Sequence, residues 1–207
     1  KNTHWETVKK NECLWQKGQK AAAIAVIQNG LLELSHTTPN GEDSVLGLFG
    51  PGDALGVPAS LRRSQYFGNA KALGSPVQVF VIKFPLSLEN EKPTVQLELT
   101  QWFQQLLLVH EEIMRAKVNV LIAGSVEAKL IALFEHLHVR FGSGRAEPFT
   151  IPLSLTKTFI AKYIDSRIET VIRTLNKWES HRFFQMGPKG IKVLDSQAFE
   201  EFLYQRK

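Results

Sequence analysis

A chain of 207 residues in which 43% of side chains are apolar and 22% charged can build one large or two ordinary cores, and it is too apolar for a disordered polymer. Its formal charge of +5 favours an acidic partner. The single cysteine, Cys13, excludes an internal disulfide and a four-thiolate iron–sulfur cluster within one chain. No run of about 18 apolar residues offers a membrane span, and the opening KNTHWETVKK lacks the apolar centre of a signal peptide. A reducing, cytoplasmic setting without membrane attachment is expected.

The first part of the chain reads as short strands. Residues 23–27, 30–35, 44–49 and 77–84 are β-prone, with turn signals at Asn29-Gly30, Pro39-Asn40-Gly41 and Pro51-Gly52-Asp53. Short strands at a spacing of about 8–12 residues predict a small barrel or sandwich. Within it the run from Phe49 to Gly56, FGPGDALG, is accounted for on its own by turn chemistry. Cys13 stands near Lys9, Lys10 and Lys17, which could lower the pKa of an exposed thiol, although a buried, inert cysteine is the commoner case. His4, His36, His110 and Cys13 are haem-ligand candidates in number only, since a lone histidine is usually structural.

A long helix is predicted over residues 93–123. Leu99, Trp102, Leu106, Val109, Ile113, Ala116 and Val120 alternate by three and four, the spacing of a coiled-coil seam. Phe103, Leu107, Met114 and Leu121 form an adjacent stripe suited to packing on the β domain. Two apolar faces favour a parallel homodimer with Leu99, Trp102, Leu106, Val109, Ile113 and Val120 at the interface; a helix sandwiched within a monomer is the alternative. His110 lies on the flank of the seam. Gly124 and Ser125 break the helix and provide a hinge, and residues 126–141 form a further amphipathic helix.

From Leu155 to Trp178 two short helical patterns flank a polar break. Ser154 or Thr156 can cap the first, whose apolar positions are Phe159, Ile160 and Ile164. Asp165 and Ser166 interrupt it, and Ser166 with Glu169 forms a capping-box signature, so a second helix should begin near Arg167. On that helix Ile168, Val171, Ile172 and Leu175 make a buried stripe, leaving Arg167, Glu169, Thr170, Arg173 and Lys177 outward. Arg can donate to guanine O6 and N7, Glu can accept from cytosine N4, and Thr can touch a phosphate or a thymine methyl. A helix-turn-helix reader of the major groove fits; an ordinary helix pair with a solvated charged face is the bland alternative. Residues 181–193 then read as a hairpin whose loop holds Gly187, Pro188, Lys189 and Gly190, with Lys189 and Lys192 placed as a wing beside phosphates. Between Ser154 and Lys192 eight Lys or Arg stand against Asp165, Glu169 and Glu179, a balance suited to a polyanion.

The segment IAKYIDSRIETVIRTLNKWES with its GPKG hairpin resembles the C-terminal winged helix-turn-helix of the Crp/Fnr family of bacterial transcription regulators. The F-x-P-G-D-x-x-G pattern over Phe49 to Gly56 is similar to a run in that family's effector-binding jelly roll. Together they cover nearly the whole chain. The resemblance implies an α+β fold: a jelly roll over 1–92, a dimerisation helix over 93–123 and a winged helix-turn-helix over 124–207. It places Glu169 and Arg173 as base readers and Thr170 on phosphate, with Arg167, Lys177, Thr156 and Lys189 also at the DNA. The same resemblance places an effector pocket around Gly52, Asp53, Gly56, Val57, Arg62, Arg63 and Ser64.

Some positions depart from the family. Ile168 stands where the cyclic-AMP receptor branch has an Arg, and Ile172 where the Fnr branch has a Ser. The Gly-Glu-Leu of cyclic-AMP binders is replaced by Gly56-Val57-Pro58, which removes the carboxylate that holds the ribose. Their Arg-Ser/Thr-Ala falls near Ser64-Gln65-Tyr66, with Arg63 one position early. Neither cyclic AMP nor an iron–sulfur cluster is therefore expected, no metal site is expected, and the effector is unidentified. The implied activity is binding of double-stranded DNA by a homodimer at a palindrome with a G·C pair in each half-site, with RNA polymerase as a further partner. A ligand-sensing module acting on a protein partner is the alternative. No phosphate loop, zinc-protease motif or nucleophile elbow supports an enzyme. The pairs Glu111-Glu112 and Glu200-Glu201 are sequential residues that do not face each other on a helix.

Overall fold

The computed structural model describes residues 2–37, 43–84, 92–142 and 149–194. The expected turn at Pro39-Asn40-Gly41 and the Glu200-Glu201 pair lie outside the described residues. The chain divides into two compact units, 1–115 and 116–207, so the long helix contributes to both.

The first unit contains β1 (Thr3–Val8), β2 (Cys13–Trp15), β3 (Ala23–Thr37), β4 (Asp43–Phe49), β5 (Ala54–Leu55), the short helix α1 (Val57–Leu61) and β6 (Asn69–Lys83). They form a six-stranded antiparallel sheet ordered β1-β6-β3-β4, with β2 paired to β6 and β5 to β3. Ile27, Leu32, Phe49, Val77 and Val79 are buried in its core. The structure corrects the reading of Asn29-Gly30 as a turn, because β3 runs through it as one strand. The pairing with β6 shifts register on either side of Asn29, so the dipeptide bends the strand as a bulge does. Gly30 has φ +88°, and a Cβ there would lie 2.9 Å from the carbonyl oxygen of Pro76, so only glycine fits the bend.

The helix α2 (Pro93–Ile122) begins on proline, which a first helical position accepts without loss. Its packing corrects the expected interface. Leu106 and Ile113 are buried against the chain's own β structure, with Trp102, Phe103, Val109 and Met114 partly buried beside them, and Val120 is also fully buried. Gly47 leaves room for this, since a Cβ there would come within 2.7 Å of the Ile113 side chain. Within the first unit, residues of the supposed seam and of the supposed core stripe lie side by side: Trp102, Phe103, Leu106, Leu107, Val109, Ile113 and Met114 form one broad apolar face of the kind a helix lays on a sheet. Leu99 is half-buried on the same side. On the opposite side Leu97, Leu108, Val118 and Ile122 are exposed, and Leu121, expected in the core, is 38% exposed.

In the second unit Gly124 (φ +87°) breaks the helix and Ser125 caps α3 (Val126–Phe141), its hydroxyl accepting from the Ala128 amide at 3.2 Å. Glu127 in the first turn and Arg140 in the last complement the helix dipole. There follow β7 (Phe149–Ile151), α4 (Lys157–Tyr163), α5 (Ile168–Ser180), β8 (Phe184–Gly187) and β9 (Gly190–Val193). The three strands form a sheet ordered β7-β9-β8. Leu130, Leu133 and Phe134 of α3 are buried, as are Val171, Leu175 and Trp178 of α5 and Phe184 of β8. Phe184 stacks on Phe134 with centroids 5.1 Å apart and meets Trp178 edge-on at 6.3 Å. Each such aromatic contributes about 2–3 kcal/mol by leaving water.

Candidate nucleic-acid interface

Thr156, not Ser154, caps α4: its Oγ1 accepts from the Phe159 amide at 3.0 Å. Phe159, Ile160, Ala161 and Tyr163 bury the inner face of this helix. The chain then turns through Ile164, Asp165 and Ser166, with Asp165 at φ 51° in the left-handed region that Asp tolerates better than most residues. The capping box expected of Ser166 and Glu169 does not form. The cap of α5 is Arg167, without a side-chain cap bond, and the Ser166 hydroxyl donates back to the Ile164 carbonyl at 3.4 Å. Glu169 is thereby left exposed on the outer face of the helix.

That face is continuous. Glu169, Arg173 and Lys177 follow one another at intervals of four residues, which stacks them on one side of α5. Glu169 and Arg173 are exposed, Thr170 and Lys177 half-buried, and Arg167 is exposed at the start of the helix. Ile172 corrects the expected buried stripe. It is 37% exposed and belongs to the outer face, while Thr174, 7% exposed, takes its place inside. Asn176 is also exposed and had no signal in the sequence beyond its polarity, because a single polar residue reads equally well on either flank of an amphipathic helix.

Two side chains hold α5 in place. Lys157 Nζ donates to Asn176 Oδ1 at 2.6 Å and stands 3.8 Å from the Glu179 carboxylate, tying the start of α4 to the end of α5. The other oxygen of Glu179 accepts from the Met186 amide at 3.2 Å, which joins α5 to β8. The hairpin of β8 and β9 closes where Gly187 pairs with Gly190. Gly190 has φ +124°, and a Cβ there would collide with the Ile151 carbonyl, so a side chain is excluded. Lys189 is exposed in the loop and Lys192 on β9.

Several of the residues expected around an effector pocket make contacts within the chain. Asp53, 8% exposed, accepts from the Gly50 amide at 2.6 Å, while the Gly52 amide donates to the Ile27 carbonyl at 2.9 Å; both pin the turn. Val57 is fully buried in the apolar core. Arg62 and Arg63 are exposed, and the Ser64 hydroxyl donates to the Ala59 carbonyl at 3.3 Å. Only Gly56 of this group lines the nearby cavity, with Trp15, Leu55, Tyr66, Phe67 and His110 among the other walls. Trp15 and Tyr66 stack in it, and about 20 Å³ remains, room for a water molecule or two. Burial lowers the His110 pKa, and its ring lies 5.7 Å from that of Phe49. Cys13 is exposed, which corrects the buried cysteine given as the commoner case, and its pKa is raised, chiefly by desolvation with Lys71 in opposition, so Lys9, Lys10 and Lys17 do not activate the thiol.

A family model for the cyclic nucleotide-binding domain matches residues 5–85, and one for the Crp-like helix-turn-helix domain matches residues 128–202. The nitrogen fixation regulation protein FixK of Bradyrhizobium diazoefficiens is 27% identical over 177 residues, covering 84% of this chain and 71% of that protein. The transcriptional activatory protein AadR of Rhodopseudomonas palustris is 25% identical over 192 residues, covering 91% and 77%. Among solved structures, FixK2 from Bradyrhizobium japonicum superposes with a TM-score of 0.79 over 96% of each chain at 14% identity, a likeness of fold. A Crp-family transcriptional regulator of Thermus thermophilus gives 0.73 over 95% of each chain at 18% identity.

Proposed function

The chain belongs to the Crp/Fnr family of DNA-binding transcription regulators, not to a family of enzymes, and we propose that it reads a palindromic operator as a homodimer through α5. The observation that carries this reading is the two-sided construction of that helix. Val171, Thr174, Leu175 and Trp178 are buried, and Glu169 and Arg173 stand exposed one turn apart on the other side. Arg173 donates to a guanine and Glu169 accepts from a cytosine amine. Thr170, Arg167, Thr156, Lys177 and Lys189 hold phosphates and fix the register without reading sequence.

Two copies are needed because a two-fold axis must present two such helices to successive major grooves, about 34 Å apart. The exposed apolar residues Leu97, Leu108, Val118 and Ile122 of α2 support a partner helix on the side of α2 that faces away from its own core. A cytoplasmic location and a contact with RNA polymerase follow from the regulatory role. Among the described residues no helix is long and apolar enough to cross a membrane. The signal acting on the β unit is not cyclic AMP in this reading: Gly56-Val57-Pro58 offers no carboxylate to a ribose, and the stacked rings of Trp15 and Tyr66 line the cavity beside Gly56.

Selection of duplex DNA from a random pool tests the assignment. A recurrent palindrome is expected, and Arg173→Ala and Glu169→Ala should each weaken binding to it by about 1–3 kcal/mol. Parental affinity in both variants would remove α5 as the reader.

A further inference from the structure

Lys117 of α2 is a charged residue in an apolar place. It is 5% exposed, its Nζ donates to the main-chain carbonyl of Tyr163, and the ammonium stands 4.8 Å from the centroid of the Tyr163 ring. Tyr163 is the last residue of α4 and is fully buried. The final carbonyls of a helix lack partners within it. Here the Ile164 amide returns to Ile160 and the Ser166 amide to Ala161, so Tyr163 receives its donor from another helix. The next residues are the turn, Ile164 to Ser166, and then Arg167, the cap of α5. A buried cation is a poor way to gain stability, because an apolar side chain of similar length would avoid the desolvation cost. What the ammonium adds is direction: it binds one carbonyl, at the negative end of one helix, beside the turn that aims the next.

We propose that Lys117 is the positioning residue for α5, holding the turn 164–166 in the single geometry that brings Glu169 and Arg173 to base edges together. This rests on α5 being the base-reading helix. The charged and titratable groups around Lys117 make the device sensitive to pH. Burial lowers its pKa from 10.5 to about 8; Asp165 on the turn acts against this, and Lys129 on α3 adds to it. The phenol of Tyr163, pushed up to about 12 by burial with Arg140 in opposition, stays neutral across the same range. Above about pH 8 Lys117 is a neutral amine, whose bond to the carbonyl is weaker than the charge-assisted one.

The test uses the full chain, the tightest duplex from the random pool and an unrelated duplex of equal length, with binding measured from pH 7 to 9. In the parent, the ratio of operator to unrelated affinity should fall roughly tenfold across this range, a change of about 1.4 kcal/mol. Lys117→Met should show the low ratio already at pH 7 and no further change, with affinity for the unrelated duplex unaltered. Parental affinity and an unchanged pH profile in Lys117→Met would overturn the proposal. If that variant does not fold, the parent decides: a flat ratio between pH 7 and 9 overturns it equally. Arg173→Ala, measured in parallel, separates the two claims. Should it keep full operator affinity, the assignment of α5 fails, whatever Lys117 does.

Discussion

The rings of Trp15 and Tyr66 stack with centroids 4.2 Å apart and planes 9° from parallel, filling the space beside Gly56. Tyr66 is held there at its far end, where its hydroxyl donates to the Ala23 carbonyl at 2.6 Å and accepts from the Ala23 amide at 3.1 Å. Millimolar cyclic AMP should leave the melting temperature of the protein unchanged, since a ligand that binds only the folded state raises it. Tyr66→Ala should cost about 3–5 kcal/mol in urea unfolding, as expected of an emptied aromatic site. A clear upward shift with cyclic AMP in the parent would show that the stack opens.

Ile172 places a branched apolar side chain on the outer face of α5, beside Arg173 and one turn from Glu169. Its natural counterpart in a major groove is a thymine methyl. Ile172→Ser should relax the preference for thymine at one base pair in each half-site, by about 1 kcal/mol, with little loss of overall affinity. Repeating the selection with the variant reads this directly; an unchanged consensus would place Ile172 away from the bases.

The exposed apolar side of α2 makes a separate demand. Leu108→Glu combined with Ile122→Glu should convert a dimer to monomers in sedimentation at micromolar concentration and weaken operator binding, while leaving the helical circular dichroism intact. Both residues are exposed within one chain, at 56% and 75%, so neither change should harm the fold of a single copy. Monomers in the parent at the same concentration would contradict the assignment.

Acid should act through His136, whose pKa is lowered from 6.5 to about 4, first by burial and then by Arg140. A lowered folded-state pKa means that the unfolded chain binds the proton more tightly, so stability is complete above pH 6.5 and is lost as pH falls through 4. The effect should be about 1–2 kcal/mol after allowance for solvent screening. Urea midpoints at pH 7 and pH 4.5 should differ more in the parent than in His136→Gln; equal differences would assign the acid sensitivity elsewhere.

Much of this is legible in residue types and spacing. The helix α3 is expected over 126–141 and is found at Val126–Phe141, because Gly124 and Ser125 supply a break and a cap that need no tertiary help. The start of α5 is also within reach. Two kinds of feature are not. The face of α2 that packs on the β unit cannot be told from a coiled-coil seam, since both follow the same three-and-four spacing and only the sheet decides which side is covered. Ile172 reads as buried because hydrophobicity says what a side chain prefers and not which side the neighbouring strands leave open. At the expected effector pocket, Asp53 reads as a turn residue by its own chemistry and as a pocket residue only by the resemblance, and its hydrogen bond to the Gly50 amide holds the turn.

The two sides of α5 share few obligations. Trp178, Leu175 and Val171 fix the helix in its unit, whereas positions 169, 172 and 173 are exposed. Substitutions at those three positions should therefore change which operator is chosen while leaving the melting temperature nearly level. A lineage carrying this helix can move from one set of target genes to another by single steps, each through a folded protein, and a laboratory library limited to the same three sites should recover new specificities without first being screened for stability.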